Sequence, residues 1–134
     1  MSEADRSGPQ VDASETLYRL ITTPDWWVAE ERRPSSAAFD EPKFSVNMAS
    51  RTTVEHTKRQ LREDLARPDG GIVSFGCGRA RELGFDARDE RDERFPHNVA
   101  HAHVYYDGGR NSRKRNARRL AKECAIVLEP TFEG

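Results

Sequence analysis

Residues 98–122 read NVAHAHVYYDGGRNSRKRNARRLAK, and this stretch predicts a strand, a tight turn and a basic helix. Small apolar residues occupy alternate positions of the strand, at Ala100, Ala102 and Val104. Successive side chains of a strand point to opposite faces, so the other face carries the imidazoles of His101 and His103. The turn at residues 107–109 reads Asp-Gly-Gly, and glycine tolerates the positive φ angles that tight turns require.

The helix after this turn combines one buried stripe with a basic surface. Its apolar and small residues recur at helical spacing, at Ala117, Leu120, Ala121 and Cys124. Asn111 or Ser112 is the expected N-cap. Arg110, Arg113 and Lys114 crowd the first turn, although a helix N-terminus already carries about half a positive charge. A phosphate would be favoured there; the simpler alternative is a solvated basic face whose arginine stems cover apolar surface.

These patterns define a candidate site with two parts. His101 and His103 are the candidates for acid–base catalysis, because imidazole titrates near neutral pH. The candidate ligand-binding residues are the cations and hydroxyls able to contact an anion: Arg33, Ser35, Ser36, Arg79, Arg110, Ser112, Arg113, Lys114 and Arg118. Two alternatives remain for the histidines: a structural role on a half-exposed strand face, or a metal site that would add His97. No metal and no cofactor are predicted.

Composition favours one small domain with a local ligand site. The 134 residues are 34% charged and 35% hydrophobic, with a formal net charge of −1, which argues against a chain that coats nucleic acid over its whole surface. Cys77 and Cys124 lack a ligand-type spacing and are expected as free thiols in a reducing compartment. No apolar run reaches the roughly 18 residues of a membrane span, and the polar N-terminus does not resemble a signal peptide. We therefore expect a cytoplasmic protein without membrane contact.

The order of the elements predicts an α+β fold, with a single small domain at residues 15–130, a mixed β-sheet of about five strands and two main helices. The strands are expected at residues 17–22, 43–48, 72–77, 98–106 and 125–128. The first main helix begins at a capping box, Thr52 with a glutamate three residues later, and would run to about Ala66. The last strand, helix and strand would form a parallel crossover. A disordered tail is expected at residues 1–14 and a C-terminal tail at residues 131–134.

Two resemblances add to this interpretation. Residues 33–39, 44–46, 98–104 and 117–121 carry the pattern Arg-x-Ser-Ser-x-x-Phe, Phe-Ser-Val, Asn-x-Ala-His-x-x-Val and Ala-Arg-x-Leu-Ala. Together they resemble a group of small, uncharacterised bacterial proteins with no established activity, which implies only that these segments belong to one domain. A second resemblance, to toxins that transfer ADP-ribose from NAD, rests on residues 17–19 and a later serine-bearing strand. The acidic residue that such enzymes need has no clear counterpart here.

The sequence therefore favours a domain that binds a phosphate-bearing ligand, either nucleic acid or a nucleotide, through the glycine turn and the basic helix. The histidines would lie at the edge of this site and could assist phosphoryl chemistry. Two alternatives stay open. One is a protein-interaction module whose charge-segregated surface meets an oppositely charged protein partner, and the other is an ADP-ribosyltransferase-like toxin that uses NAD.

Overall fold

The computed structural model describes residues 6–133, and a six-stranded β-sheet organises them. The strands are β1 (Thr16–Ile21), β2 (Trp27–Val28), β3 (Arg33–Pro34), β4 (Lys43–Met48), β5 (Gly71–Gly76), β6 (Phe85–Arg88), β7 (His101–Tyr106) and β8 (Ala125–Leu128). The helices are α1 (Val54–Arg59), α2 (Cys77–Glu82) and α3 (Arg110–Glu123), and a π-helical turn (Gln60–Asp64) continues α1. The main sheet has the order β6-β7-β4-β1-β5-β8, while β2 and β3 form a separate pair.

The predicted α+β class is confirmed, with six strands in the main sheet where about five were expected. Every ladder in the described part of this sheet is antiparallel, whereas parallel pairing was also expected. The expected crossover joins β7, α3 and β8, and β7 and β8 do run in the same direction. They are not neighbours, however, because β4, β1 and β5 lie between them. Within residues 6–133, no helix has the length and apolar character that crossing a bilayer would need.

The sheet separates two layers, and this separation decides where the candidate site residues lie. α3 packs on one face, where Ala117 and Leu120 join the main core with Val104 of β7. The other face carries a smaller apolar cluster, formed by Leu20, Leu61 and Ile72. Because side chains alternate along β7, His101 and His103 lie on this second face. The histidines and the basic helix are therefore on opposite faces of the sheet, not together as expected.

A gap between the two central strands is filled by a buried arginine. β1 and β4 pair over only two residues, whereas β1 pairs with β5 along its whole length. The guanidinium of Arg19 enters the gap and donates to the carbonyl oxygens of Ala38 (2.9 Å) and Ser45 (3.1 Å). Burial lowers the pKa of Arg19 to about 10, which leaves the side chain charged at neutral pH. The central sheet is therefore held together at this point by a side chain in place of a ladder.

The N-terminal segment is ordered where it is described, which corrects the expectation of a disordered tail at residues 1–14. Residues 1–5 of that tail lie outside the described residues. From Arg6 onward the chain lies against β6 and forms backbone hydrogen bonds with it. The buried guanidinium of Arg6 forms ion pairs with Asp86 (2.7 Å) and with Asp107. Long-range charge pairing thus orders a segment whose composition is typical of disorder.

The helix ends differ from the predicted ones in informative ways. The N-cap of α1 is Thr53, whose hydroxyl accepts from the N–H of His56 at 3.1 Å, and not Thr52. α1 is followed by the π-helical turn and stops before Ala66, which has a left-handed φ of 53°. α3 begins at Arg110, one residue before the first expected cap.

Replacing Arg6 with Ala should lower the free energy of unfolding by about 1–3 kcal/mol, because it leaves a buried carboxylate with fewer partners. Urea unfolding at neutral pH measures this change. Arg110→Ala is the control, since its exposed side chain should contribute no more than about 0.5 kcal/mol. Equal stabilities for the two variants would mean that the N-terminal segment contributes nothing to the fold.

Candidate functional site

One residue, Glu90, orients both histidines of β7. The Nδ1 atom of His101 lies 2.6 Å from the backbone oxygen of Glu90, and Nδ1 of His103 lies 3.0 Å from its carboxylate oxygen Oε1. A carbonyl and an ionised carboxylate can only accept hydrogen bonds, so the network places a proton on Nδ1 of each ring. When the rings are neutral, each Nε2 atom therefore presents a lone pair.

The carboxylate of Glu90 is itself tightly held. Its Oε2 accepts from the backbone N–H of Gly8 at 3.0 Å, and its Oε1 accepts from the hydroxyl of Tyr105. Burial raises the pKa of Glu90, but the hydrogen bonds from Tyr105, Gly8 and His103 outweigh burial and place the pKa below its usual value. The group is therefore ionised at neutral pH and provides a fixed acceptor for His103.

A cavity of about 280 Å³, the inner cavity, opens beside His101. Its lining residues come from β1, β4, the π-helical turn and the loop before β7: Arg19, Leu20, Thr22, Trp26, Ser45, Val46, Asn47, Gln60, Leu65, Asp92, Arg94, Phe95 and His101. The side chain of His101 is only 3% exposed. Its Nε2 atom has no hydrogen-bond partner among residues 6–133. The carboxylate of Asp92 lies 4.0 Å from Nε2, which is too far for a hydrogen bond.

The charges beside the inner cavity favour a neutral imidazole next to an anion. Burial lowers the pKa of His101 below its ordinary value. Hydrogen bonds from Arg94 lower the pKa of Asp92 to about 2. At neutral pH, His101 is therefore a proton acceptor, and the nearby carboxylate of Asp92 would stabilise the imidazolium formed by proton transfer.

The lining of the inner cavity also includes a positive charge and an aromatic ring. The buried guanidinium of Arg19 lies 4.3 Å from the ring centre of Trp26, and both residues line the inner cavity. In the described part of the chain, no carboxylate lies within ion-pair distance of Arg19. Glu41 acts on Arg19 through a charge interaction beyond ion-pair distance, so burial of this cation remains costly, and an anion in the cavity would reduce that cost.

A second cavity of about 430 Å³, the outer cavity, adjoins the first and shares Gln60, Arg94 and Phe95 with it. Its remaining lining residues are mostly polar: Arg51, Thr52, His56, Arg59, Glu63, Asp64, Pro96, His97, Asn98 and Val99. We call the two cavities together the groove. It runs between the π-helical turn and the loop before β7.

Side-chain amides fix the boundary between the two cavities. Asn98 donates to the side-chain oxygen of Asn47 at 2.8 Å, and Asn47 donates to that of Gln60 at 2.8 Å. Gln60 begins the π-helical turn, a distortion that often occurs at functional sites. The amide chain therefore links the loop, the sheet and the π-helical turn beside the groove.

The two predicted catalytic histidines face different spaces. The rings of His101 and His103 are in edge contact, with centroids 4.5 Å apart. His103, however, lines a third cavity, of about 810 Å³, together with Lys43 and Tyr105. The third cavity shares Asp92 and Arg94 with the inner cavity, but of the two predicted catalytic histidines only His101 lines the groove.

Most predicted ligand-binding residues are engaged with other parts of the protein. Three of the arginines pair with carboxylates: Arg33 with Glu31, Arg79 with Glu123 and Arg113 with Asp40. The hydroxyl of Ser35 donates to the carbonyl of Asp25 at 2.7 Å. Ser112, expected as an N-cap, instead donates to the carbonyl of Gly109 at 3.0 Å and accepts from Tyr106 at 2.9 Å.

The other predicted ligand-binding residues lie away from the histidines. Ser36 begins a short 3₁₀ turn that packs against α3. Arg110, Lys114 and Arg118 are exposed on α3, and none of them has an ion-pair partner within residues 6–133. They form a free basic surface on the opposite face of the sheet from the groove.

Sequence reasoning did not assign the residues that surround His101 to the site, although several of them left a partial signal. They are Arg19, Asn47, Gln60, Glu90, Asp92 and Arg94. An arginine inside an otherwise apolar strand was the signal for Arg19. The dense charges before β7 were the signal for the loop residues, because a long charged loop in a small domain is often functional.

Replacing Glu90 with Gln should lower the pKa of His103 further, because the carboxylate favours the charged imidazole. The pKa of His101 should change less, since its partner is the backbone carbonyl, which the substitution keeps. Titration of the imidazole resonances by NMR measures both values. Glu93→Gln, an exposed carboxylate of the same loop, is the control. An unchanged pKa of His103 would contradict the assigned hydrogen bond.

Three comparisons with known proteins bear on this site. No protein-family model, no curated protein and no solved structure matched the chain. The function of the groove must therefore be inferred from its own geometry and chemistry.

Proposed function

We propose that the chain binds a phosphate-bearing ligand, a nucleotide or a nucleic acid, in the groove, and that His101 transfers a proton there. One observation carries the proposal. His101 lines the inner cavity and is held through Nδ1, yet its buried Nε2 atom has no hydrogen-bond partner among residues 6–133. Buried polar atoms are normally satisfied, so an unpaired one at a cavity wall points to a ligand.

The phosphate would be bound by arginines that line the groove. Arg94 belongs to both cavities and is 72% exposed. Its Nε and Nη2 atoms donate to Asp92, which leaves further N–H groups for a ligand oxygen. Arg19, which lines the inner cavity, contributes a second positive charge. Arginine suits phosphate because its planar guanidinium matches two phosphate oxygens at once.

The ring of the ligand would contact aromatic side chains. Trp26 and Phe95 line the inner cavity and are both half-buried. Stacking of a base on an aromatic ring contributes about 1–3 kcal/mol and tolerates different bases. The aromatic side chains of the groove thus suit the base of a nucleotide, and its arginines suit the phosphate.

The chemistry would be general acid–base catalysis by a single histidine. The Nε2 atom of His101 would accept a proton from a hydroxyl of the bound ligand or from a water molecule, and the ionised Asp92 would stabilise the resulting imidazolium. A general base of this type contributes about 10²–10⁴-fold to a rate.

A second candidate function is a protein-interaction module that uses α3. The observation that favours it is the free basic surface of Arg110, Lys114 and Arg118, which is separated from the groove by the sheet. A stoichiometric protein partner that is lost when Arg118 and Arg119 are changed to Glu would support this function. The NAD-using alternative stays a prediction, and including NAD among the ligands below tests it.

Trp26→Leu should weaken nucleotide binding by about 5–100-fold, the loss expected when one stacking contact is removed. The measurement is calorimetric titration with short RNA, short DNA, mononucleotides and NAD, each at low and high salt. Trp27→Leu is the matched control, because Trp27 is equally half-buried but does not line the groove. Binding that falls steeply with salt reports phosphate contacts. No binding of any ligand at low salt would exclude the proposed function.

His101→Gln should reduce turnover of the bound ligand by about 10²–10⁴-fold while binding changes little. His103→Gln is the control on the same strand face. Because burial lowers the pKa of His101 below its ordinary value, the fall in the wild-type rate on acidification, as the base becomes protonated, should begin at a lower pH than an ordinary imidazole would give. Equal rates for the two variants would remove His101 from the mechanism.

A further inference from the structure

We infer that the natural ligand of the groove is a single-stranded oligonucleotide, bound with one nucleotide in the inner cavity and the next in the outer cavity. The inference rests on the proposed function and specifies its substrate class. It follows from three features of the groove: its two compartments, the arginine between them and the free cation at the outer end.

The first feature is the size and continuity of the groove. The inner cavity of about 280 Å³ is slightly smaller than the range for small-molecule sites, about 300–1,000 Å³. The outer cavity of about 430 Å³ adjoins it across the shared residues Gln60, Arg94 and Phe95. A mononucleotide would occupy one compartment and leave the other empty, whereas a chain of two or more nucleotides would use both.

The second feature is the arginine at the boundary. Arg94 lines both cavities and lies next to Asp92, which in turn lies 4.0 Å from Nε2 of His101. A backbone phosphate that joins two bound nucleosides would lie at this boundary. Phe95, at the same boundary, offers a ring on which a second base can stack.

The third feature is the charge of the outer cavity. Its lining includes three arginines, Arg51, Arg59 and Arg94, against two carboxylates, Glu63 and Asp64. Arg51 pairs with Asp89 at 2.9 Å. Arg59 is exposed at the end of α1 and has no ion-pair partner in the part of the chain that the structure describes. It is therefore available for a phosphate beyond the one at Arg94.

The shape of the groove favours a single strand over a duplex. Both cavities are concave and lie between the π-helical turn and a loop, and their aromatic side chains contact faces of bases. Base faces are accessible only in unpaired strands, since a duplex stacks them against each other. Ribose and deoxyribose strands share this chemistry, so RNA and DNA are separate arms of the test.

The experiment compares a 5′-mononucleotide, a dinucleotide and a tetranucleotide, as oligo-U and as oligo-dT, by calorimetric titration at several salt concentrations from low to high. We expect the tetranucleotide to bind at least tenfold more tightly than the mononucleotide. Arg59→Ala should weaken tetranucleotide binding about 3–10-fold and reduce its salt slope by about 0.7, the value for one phosphate contact on a single strand. Arg59→Ala should weaken mononucleotide binding less than it weakens tetranucleotide binding, because a mononucleotide uses one compartment and has no second phosphate for Arg59.

Arg62→Ala is the matched control. Arg62 is an exposed arginine of the π-helical turn but lines neither cavity. Equal affinities for mononucleotide and tetranucleotide, or equal losses in the Arg59 and Arg62 variants, would overturn the inference and leave the proposed function standing. Duplex binding as tight as single-strand binding would also overturn it. Failure of every nucleotide to bind would remove the proposed function itself.

Discussion

The candidate site depends on Glu90, which uses its backbone and its side chain for two different histidines. The backbone carbonyl holds His101 and the carboxylate holds His103. These two hydrogen bonds differ in their response to pH, because a carboxylate titrates and a backbone carbonyl does not. His101, the histidine that reaches the groove, is therefore oriented by a partner whose charge does not change with pH. The ring that depends on a titratable partner faces a different cavity.

The groove itself originates in an incomplete ladder. If β1 and β4 paired along their full length, the sheet would be closed where Arg19 now lies. The guanidinium replaces backbone hydrogen bonds with side-chain ones, to Ala38 and Ser45, and brings a positive charge into the interior. The short pairing of β1 and β4 thus places a buried positive charge at the inner cavity, where an anion would be favoured. Structure and proposed function have one physical origin here.

Local patterns in the sequence were sufficient for the α+β class, the alternation of β7 and the start of the basic helix close to residue 110. They could not give the side of the sheet on which α3 packs, because that depends on the strand order. Glu90 contacts Gly8 across 82 residues and His103 across 13, distances over which spacing carries no information. The apparent site on α3 was a cluster in sequence, while the groove is a cluster only in space. The ion pairs of Arg6 similarly override the disorder that its neighbours' composition indicates.

The contact between Gly8 and Glu90 has a consequence for the order of folding events. The main core is built largely from the sheet and α3, and among the described residues 6–14 it is Val11 that joins this core. Bringing together segments so distant in sequence costs loop-closure entropy before the contact is made. The chain can therefore have a complete core while the carboxylate of Glu90 still lacks one of its donors. On this view the chain forms most of its core first, and the carboxylate of Glu90 gains its last donor afterwards, when the N-terminal segment packs against it.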